Sequence, residues 1–331
     1  MRLGVLSNQE LDPWVNWTTL GPPLLEPLSR MSGANLIAPP HFSRKNLPEW
    51  RNVLHRAHGA DTLFWMQGAS RPEMPLFLTS LARGRARRSA YVIDAWKNLH
   101  LKIGMLAILQ RLDPCFVAFR EACEELKKRF PSGRFEWLPF GVDTTVFDAT
   151  PGERPIFGYS MGRRYEPLHQ ALLRYCTDRG LEYRYTSNGE IRDPVDLGKM
   201  VARSKYFLVT PPDLPSPART QGYSPFVMRY LEGLSAGSRL LGVLPASGEY
   251  EMLLPLDAML QVSPDGSDLA VKLDADRGNP EVGPAVERAR LMVRAKHSWS
   301  KRAEQVFTRL STGEPITFES FLGWEQSSRR A

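Results

Sequence analysis

The sequence predicts a soluble α/β protein of two domains, each built on a parallel sheet flanked by helices. Three observations lead there. Short apolar runs alternate with helical periodicities along most of the 331 residues, and strand, helix and strand repeated this way builds parallel sheets through right-handed crossovers. Near residue 140 the alternation stops at a turn-rich stretch and then restarts. The length also exceeds what one hydrophobic core usually holds.

In the first half, 2–7 (RLGVLS), 35–39 (NLIAP), 62–66 (TLFWM), 90–94 (AYVID), 115–119 (CFVAF) and 135–139 (FEWLP) read as strands. They are short and apolar and rarely alternate in polarity, as strands covered on both faces do. Helical periodicity fills 47–59, 99–112 and 120–130. Residues 1–145 are thus expected to form one Rossmann-like domain. The stretch 139–155 is rich in turn formers, has no helical period and reads as a linker. Strands return at 156–160, 181–186, 206–210 and 239–244, with helices over 165–178, 195–203 and 225–236, and 283–311 reads as helical. A second Rossmann-like domain is expected over 152–311. The tail, 312–331, carries Phe318, Phe321, Leu322 and Trp324, and this aromatic content predicts docking on the first domain. Ligands of open α/β sheets gather at the carboxyl ends of the strands, so two facing, doubly wound sheets predict an interdomain cleft.

Composition is ordinary for a globular protein, with 42% hydrophobic and 24% charged residues. No apolar run approaches the roughly 18 residues of a membrane-spanning helix, and the start MRLGVLSNQELDPW does not read as a secretory signal. A cytoplasmic location is expected. The net charge of +7 attracts polyanions, among them nucleotide diphosphates and anionic lipid. Peripheral contact with an anionic membrane is therefore open. The basic clusters, Arg83, Arg85, Arg87 and Arg88 and then Lys127, Lys128 and Arg129, lack the interleaved aromatics of a single-strand platform, so nucleic acid is not an expected partner. Cys115, Cys123 and Cys176 read as buried thiols. The six histidines, including His55 and His58 on one helix, show no metal spacing, and no metal site is expected.

Two segments carry candidate chemistry. In FGYSMGRRYEPLHQALLRY (157–175) a strand runs into Gly162, Arg163 and Arg164 and then a helix. A glycine turn, a helix N-terminus and two guanidinium groups suit a diphosphate; an ordinary turn with solvent-facing arginines fits equally. In 223–251, Gly222 and Tyr223 precede Ser224, which reads as a helix cap with Pro225 at the first helical position. Val227, Tyr230, Leu231 and Leu234 then form a buried stripe. At about 100° per residue, Arg229 and Glu232 fall together away from it. A carboxylate there suits a vicinal diol, accepting two hydrogen bonds; a weak surface pair with Arg229 is the alternative.

These segments resemble the donor site of GT-B glycosyltransferases of the family-4-like group, with a donor domain of the group-1 type. MRYLEGLSAGSRLLG is most similar to the subgroup related to the spore-maturation protein CgeB. LPFGVDTTVF (138–147) resembles the Pro-x-Gly-Val-Asp-x-x-x-Phe linker, FGYSMGRR the first donor-domain strand and turn, and KHSWSKRAEQVF (296–307) the late His-x-Trp-x-x-Arg helix start. The likeness spans about 138–307 and is one of layout before that. It implies the GT-B fold and a nucleotide-diphosphate-sugar as substrate, with no cofactor and no metal. It also implies transfer of the sugar to an acceptor hydroxyl, with retention at the anomeric carbon. Carried over, Glu232 matches the second family glutamate, which contacts the donor ribose, and Arg229 stands beside it. Arg163 or Arg164 matches the residue that neutralises the diphosphate, and Gly222, Tyr223 and Ser224 match the loop near the donor phosphate. The first family glutamate, which in many relatives holds the transferred sugar, falls at Ser224 here. That departure leaves a second reading open, a non-catalytic GT-B homologue that binds a nucleotide or an anionic surface as a partner subunit.

On the acceptor side Asp94 ends the strand 90–94, where catalytic groups of α/β sheets gather. A helix-capping aspartate fits as well. Asn8, Gln9 and Glu10 follow the first strand and face the same expected cleft. The acceptor itself, whether glycan, lipid-linked or small molecule, is not readable.

Overall fold

A computed structural model describes residues 1–7, 21–33, 36–38, 45, 47–68, 86–150, 152–187 and 189–322. Asn8, Gln9, Glu10, Arg83, Arg85 and Trp324 lie outside the described residues. The chain divides into two compact units. The first combines Met1–Phe140 with Trp299–Ile316; the second combines Gly141–Ser298 with the residues from Thr317 onward.

The first unit holds a six-stranded parallel sheet in the order β2-β1-β3-β4-β5-β6. The strands are β1 (Leu3–Leu6), β2 (Leu36–Ile37), β3 (Thr62–Gly68), β4 (Arg87–Ile93), β5 (Leu112–Val117) and β6 (Phe135–Trp137). The helices are α1 (Gly21–Met31), α2 (Leu47–His58), α3 (His100–Leu109) and α4 (Arg120–Arg129). All six strands coincide with the apolar runs read from the sequence. Phe64, Trp65, Tyr91 and Phe116 are fully buried along them, as expected where helices cover both faces. The sequence did not announce α1, because it contains Pro22, Pro23 and Pro27. The first two stand in the opening turn, where no amide hydrogen is missed. Pro27 is tolerated inside because Leu24, Leu25 and Leu28 are buried.

The second unit has a five-stranded parallel sheet in the order β11-β10-β9-β7-β8. Its strands are β7 (Ile156–Met161), β8 (Tyr183–Thr186), β9 (Ser204–Val209), β10 (Arg239–Gly242) and β11 (Met259–Gln261). Helices α5 (Glu166–Asp178), α6 (Pro194–Ala202), α7 (Met228–Ser235), α8 (Leu269–Arg277) and α9 (Val282–Lys296) flank it. Neither β11 nor α8 was expected; both are short. The first strand, β7, has β8 on one side and β9 on the other. The strand order therefore reverses at β7, the place where open α/β sheets hold ligands at their carboxyl ends.

The helical stretch read as 283–311 is two helices assigned to different units. α9 stops at His297, which is fully buried with Nε2 at 3.1 Å from the Leu253 carbonyl. The Val142 amide donates to the His297 carbonyl at 3.0 Å. α10 (Trp299–Thr312) then belongs to the first unit, where the sequence reading had kept residues to 311 in the second. The cause is packing. Trp299 is 1% exposed and meets Tyr91 and Phe140 edge-on at 6.3 and 6.4 Å. Arg302, fully buried, donates to the Pro139 carbonyl at 2.8 Å, and Arg309 donates to Glu136 at 2.8 Å. The tail also differs from expectation. Residues 317–322 group with the second unit, not the first, and Lys296 Nζ donates to the Leu322 carbonyl at 2.6 Å.

The three cysteines are free and buried. Burial pushes the Cys123 thiol up to about 12 and the Cys176 thiol up to about 11, so both stay protonated. Among the described residues, no helix is long and apolar enough to cross a membrane.

Candidate functional site

β7 ends at Met161, and the chain turns at Gly162 with φ +85°, a backbone state that side chains disfavour. Two bonds from β8 and its end fix this turn. The Gly162 amide donates to the Thr186 carbonyl at 2.9 Å, and the Tyr185 hydroxyl donates to the Gly162 carbonyl at 2.7 Å. A Cβ at position 162 would lie 2.3 Å from Nη2 of Arg229. The guanidinium on α7 therefore rests against the bare backbone of the turn.

Arg163 and Arg164 follow and are exposed. Arg164 pairs with Glu166 at 2.8 Å and lies 5.4 Å from the centre of the Tyr185 ring. α5 opens at Glu166 with no side-chain cap, so its first turn presents amide hydrogens and the positive end of the helix dipole. His169, on the first turns of α5, is buried, with Nδ1 at 2.8 Å from the Tyr183 hydroxyl. Burial holds its pKa below the ordinary imidazole range, and the Arg164 charge acts the same way.

The approach to α7 differs from the sequence reading. Ser224 is not its cap and Pro225 is not its first residue; the helix opens at Met228 after an extended Val227. The Ser224 hydroxyl is committed elsewhere, accepting from the Ala246 amide at 3.0 Å. The Ser224 carbonyl accepts from the Ser247 amide at 3.2 Å. Two residues on, the buried Glu249 carboxylate accepts from the Phe226 amide at 2.9 Å and from the Ser247 hydroxyl at 2.9 Å. These bonds hold 224–227 straight and delay the helix. Just before them, Gln221 and Gly222 both take left-handed backbone, at φ +51° and +91°, and Tyr223 is buried. Glu249 was not singled out from the sequence; a carboxylate in a loop has no local signature for such a bridge.

Along α7, Tyr230, Leu231 and Leu234 are buried as the periodicity required. Glu232, however, is only 5% exposed, which corrects the alternative of a solvated surface pair. Among the described residues, no hydrogen bond reaches its carboxylate. Desolvation holds its pKa above the ordinary carboxyl value, while the Arg229 charge pulls the other way. Nη1 of Arg229 is buried and has no hydrogen-bond partner. Both charges act on the hydroxyl of Tyr159, which shares a 2.6 Å hydrogen bond with Thr186. Gly162, Tyr185, Thr186, Tyr159, Arg229 and Glu232 thus form one polar cluster at the switch point of the second sheet. Tyr159 and Tyr185 were missed because both sit in short strands that read only as core.

In the first unit, Asp94 follows β4 with φ +54°. Its carbonyl accepts from the Trp96 amide at 2.7 Å. Trp96 stands at the N-cap position of the following 3-10 turn and makes no side-chain cap bond, so Asp94 does not hold the cap position that the sequence allowed. A non-glycine residue in left-handed backbone at a strand's carboxyl end is the kind of strain that gathers at functional positions. Among the described residues, no cluster of three or more His, Cys, Asp or Glu side chains is placed to hold a metal ion.

No protein-family model matches the chain, and no curated protein matches its sequence. Solved structures do match its fold. Sucrose-phosphate synthase from Thermosynechococcus elongatus is similar over 94% of this chain and 99% of its own, with a TM-score of 0.61 at 12% identity. Anabaena HepE, in complex with UDP and glucose, is similar over 94% and 100%, with a TM-score of 0.59 at 10% identity. TarM is similar over 77% and 58%, with a TM-score of 0.53 at 10% identity. At these identities the likeness shows the fold, which is the GT-B α/β fold of two Rossmann-like units.

Proposed function

We propose that this chain is a glycosyltransferase that takes a sugar from a nucleotide-diphosphate-sugar bound by the second unit and passes it to an acceptor hydroxyl. One observation carries the reading. At the switch point, a buried carboxylate without a hydrogen bond, Glu232, stands near a buried guanidinium nitrogen without a partner, on Arg229. The buried Arg229 nitrogen goes unpaired at a cost of roughly 1–3 kcal/mol or more, and the Glu232 carboxylate has no hydrogen bond to offset its desolvation. A ribose diol and a diphosphate are complementary to them in charge and hydrogen bonding. The ligands of the HepE structure, UDP and glucose, support the same reading by likeness of fold.

In this scheme Glu232 accepts from the ribose hydroxyls. Arg229, Arg163, Arg164 and the first turn of α5 neutralise the departing diphosphate, and the catalytic contribution is mainly electrostatic. Gly222, Tyr223 and Ser224 lie in the loop near the donor phosphate, and Asp94 serves the acceptor hydroxyl. Retention, independence from metal and membership of the CgeB-like subgroup rest on the motif resemblance. The test is calorimetry with UDP, GDP, ADP and dTDP, followed by turnover of the matching nucleotide-sugars. Submillimolar binding of one diphosphate with turnover of its sugar is the expected result. Binding without any turnover would favour the non-catalytic homologue; no binding would end the proposal.

A further inference from the structure

The Tyr159 hydroxyl and Thr186 Oγ1 lie 2.6 Å apart, and burial decides which of them donates. Tyr159 is fully buried, with its ring against Phe207 at 5.8 Å. Among the described residues, Thr186 is the one hydrogen-bond partner of its hydroxyl. A phenolic hydrogen turned away from Thr186 would be a buried donor left unmet. Burial also raises the Tyr159 pKa, so the phenol keeps its proton at neutral pH. Tyr159 therefore donates and Thr186 accepts. Thr186 ends β8 and is only part buried. Its own hydroxyl hydrogen is left for an acceptor from outside the protein, because none of the described residues takes it.

This hydroxyl sits at the turn that closes β7. The Thr186 carbonyl accepts from the Gly162 amide at 2.9 Å, and Nη2 of Arg229 rests against Gly162. The charges of Arg229 and Glu232 both act on the Tyr159 hydroxyl. Glu232 calls for ligand groups that donate, as a ribose diol does. A hydroxyl fixed as a donor calls for the opposite, an oxygen that accepts, and diphosphate oxygens are strong acceptors. We infer that Thr186 is a further residue of the nucleotide site, and that its hydroxyl donates to a diphosphate oxygen beside Gly162 and Arg229. Tyr159 touches no ligand; it is a positioning residue that turns the threonine proton toward the diphosphate. This inference rests on the proposed function and adds to it one contact and the residue that orients it.

The test is calorimetry with UDP, GDP, ADP and dTDP, with melting curves on the same preparations. Thr186→Val keeps the side-chain shape and removes the hydroxyl. It should weaken the tightest diphosphate by about tenfold, the worth of one hydrogen bond to a charged group. Thr186→Ser keeps the hydroxyl and should bind within about threefold of wild type. Tyr159→Phe releases the threonine hydroxyl among three staggered wells and should cost up to about threefold. Tyr159→Phe combined with Thr186→Val should bind no more weakly than Thr186→Val alone. The combination should also melt above Thr186→Val, which strands a buried phenol that the double change removes. With the diphosphate saturating, phosphorus NMR should show a bound resonance displaced between wild type and Thr186→Val. The inference is overturned if Thr186→Val binds like wild type, whatever its melting temperature, or if Thr186→Ser binds as weakly as Thr186→Val. It is equally overturned if the losses of the two single changes add, or if the bound phosphorus resonances coincide. Wild type that binds no diphosphate ends the proposed function itself; wild type that binds while Thr186→Val binds equally ends only this inference.

Discussion

Arg229 and Gly162 share one space: a Cβ on the glycine would meet the arginine Nη2 at 2.3 Å. The missing side chain at the end of β7 is thus what lets α7 deliver its cation to the turn.

Gly162→Ala should separate this relationship from simple backbone strain. Left-handed backbone costs a non-glycine residue about 1–2 kcal/mol, and Gly180→Ala, at φ +60° with nothing near its Cβ, should incur that cost alone. Both variants should melt lower. Only Gly162→Ala should also lose most nucleoside-diphosphate affinity by calorimetry, because it displaces Arg229. Equal affinities for the two variants would sever Arg229 from the site.

Glu232→Gln should uncouple stability from binding. Desolvation raises the Glu232 pKa in the fold. A raised carboxyl contributes fully below its unfolded value, about 4.3, and that contribution is lost as pH rises through the folded value. The glutamine variant escapes this loss. Ligand-free, it should melt at or above wild type at pH 7 and converge with it near pH 4, while diphosphate binding falls away. Wild-type binding should itself weaken in acid at a higher pH than an ordinary carboxyl would dictate, since the ionised form accepts the diol. A lower melting temperature at pH 7 with binding intact would make Glu232 structural.

The arginines should rank by burial. Charge-assisted hydrogen bonds are worth about 1.5–3 kcal/mol each, and exposed pairs such as Arg164 with Glu166 much less. Arg229→Ala should therefore cost more diphosphate affinity than Arg164→Ala. The double change Arg163→Ala, Arg164→Ala should cost several kcal/mol at most and flatten the salt dependence of binding. Calorimetry over a range of salt reads both; an unchanged double variant would remove the exposed pair from the site.

Asp94→Asn should keep the fold, because asparagine accepts left-handed backbone, and should cut turnover more than donor affinity. Asp94→Ala should add a stability loss of about 1–2 kcal/mol from its φ of +54°. Turnover, donor affinity and melting temperature on the same preparations distinguish these effects. Equal turnover of Asp94→Asn and wild type would leave the first unit without a named catalytic group.

Much of this architecture is legible because buried parallel strands announce themselves as short apolar runs. Ile156–Met161 and Arg239–Gly242 were found that way, and Gly237, at φ +73° after α7, stops the helix as a glycine should. The start of α7 was not legible. A serine followed by proline is a good local cap, but Ser224 is drawn off by an amide 22 residues later, and long-range partners leave no trace in local pattern. Within the site, Gly162, Arg229 and Glu232 could be picked out by residue type and spacing. The burial of Glu232 and the reach of Arg229 to Gly162 could not, since both depend on how β7 and α7 meet. The assignment of Trp299 onward failed for a related reason: helical period shows which face is apolar, not which core receives it.

That last helix bears on the order in which the molecule can be assembled during synthesis. Met1–Phe140 leaves the ribosome well before Trp299, Arg302 and Arg309, which close the core and edge of that unit. The second unit needs Gly141–Ser298 for nearly all its structure and can therefore consolidate while the earlier portion still waits for its final helix. A nascent chain of this protein leaves Tyr91 and Phe140 without their Trp299 contacts until that residue has been made. Such surface is what chaperones hold and what aggregates when they do not.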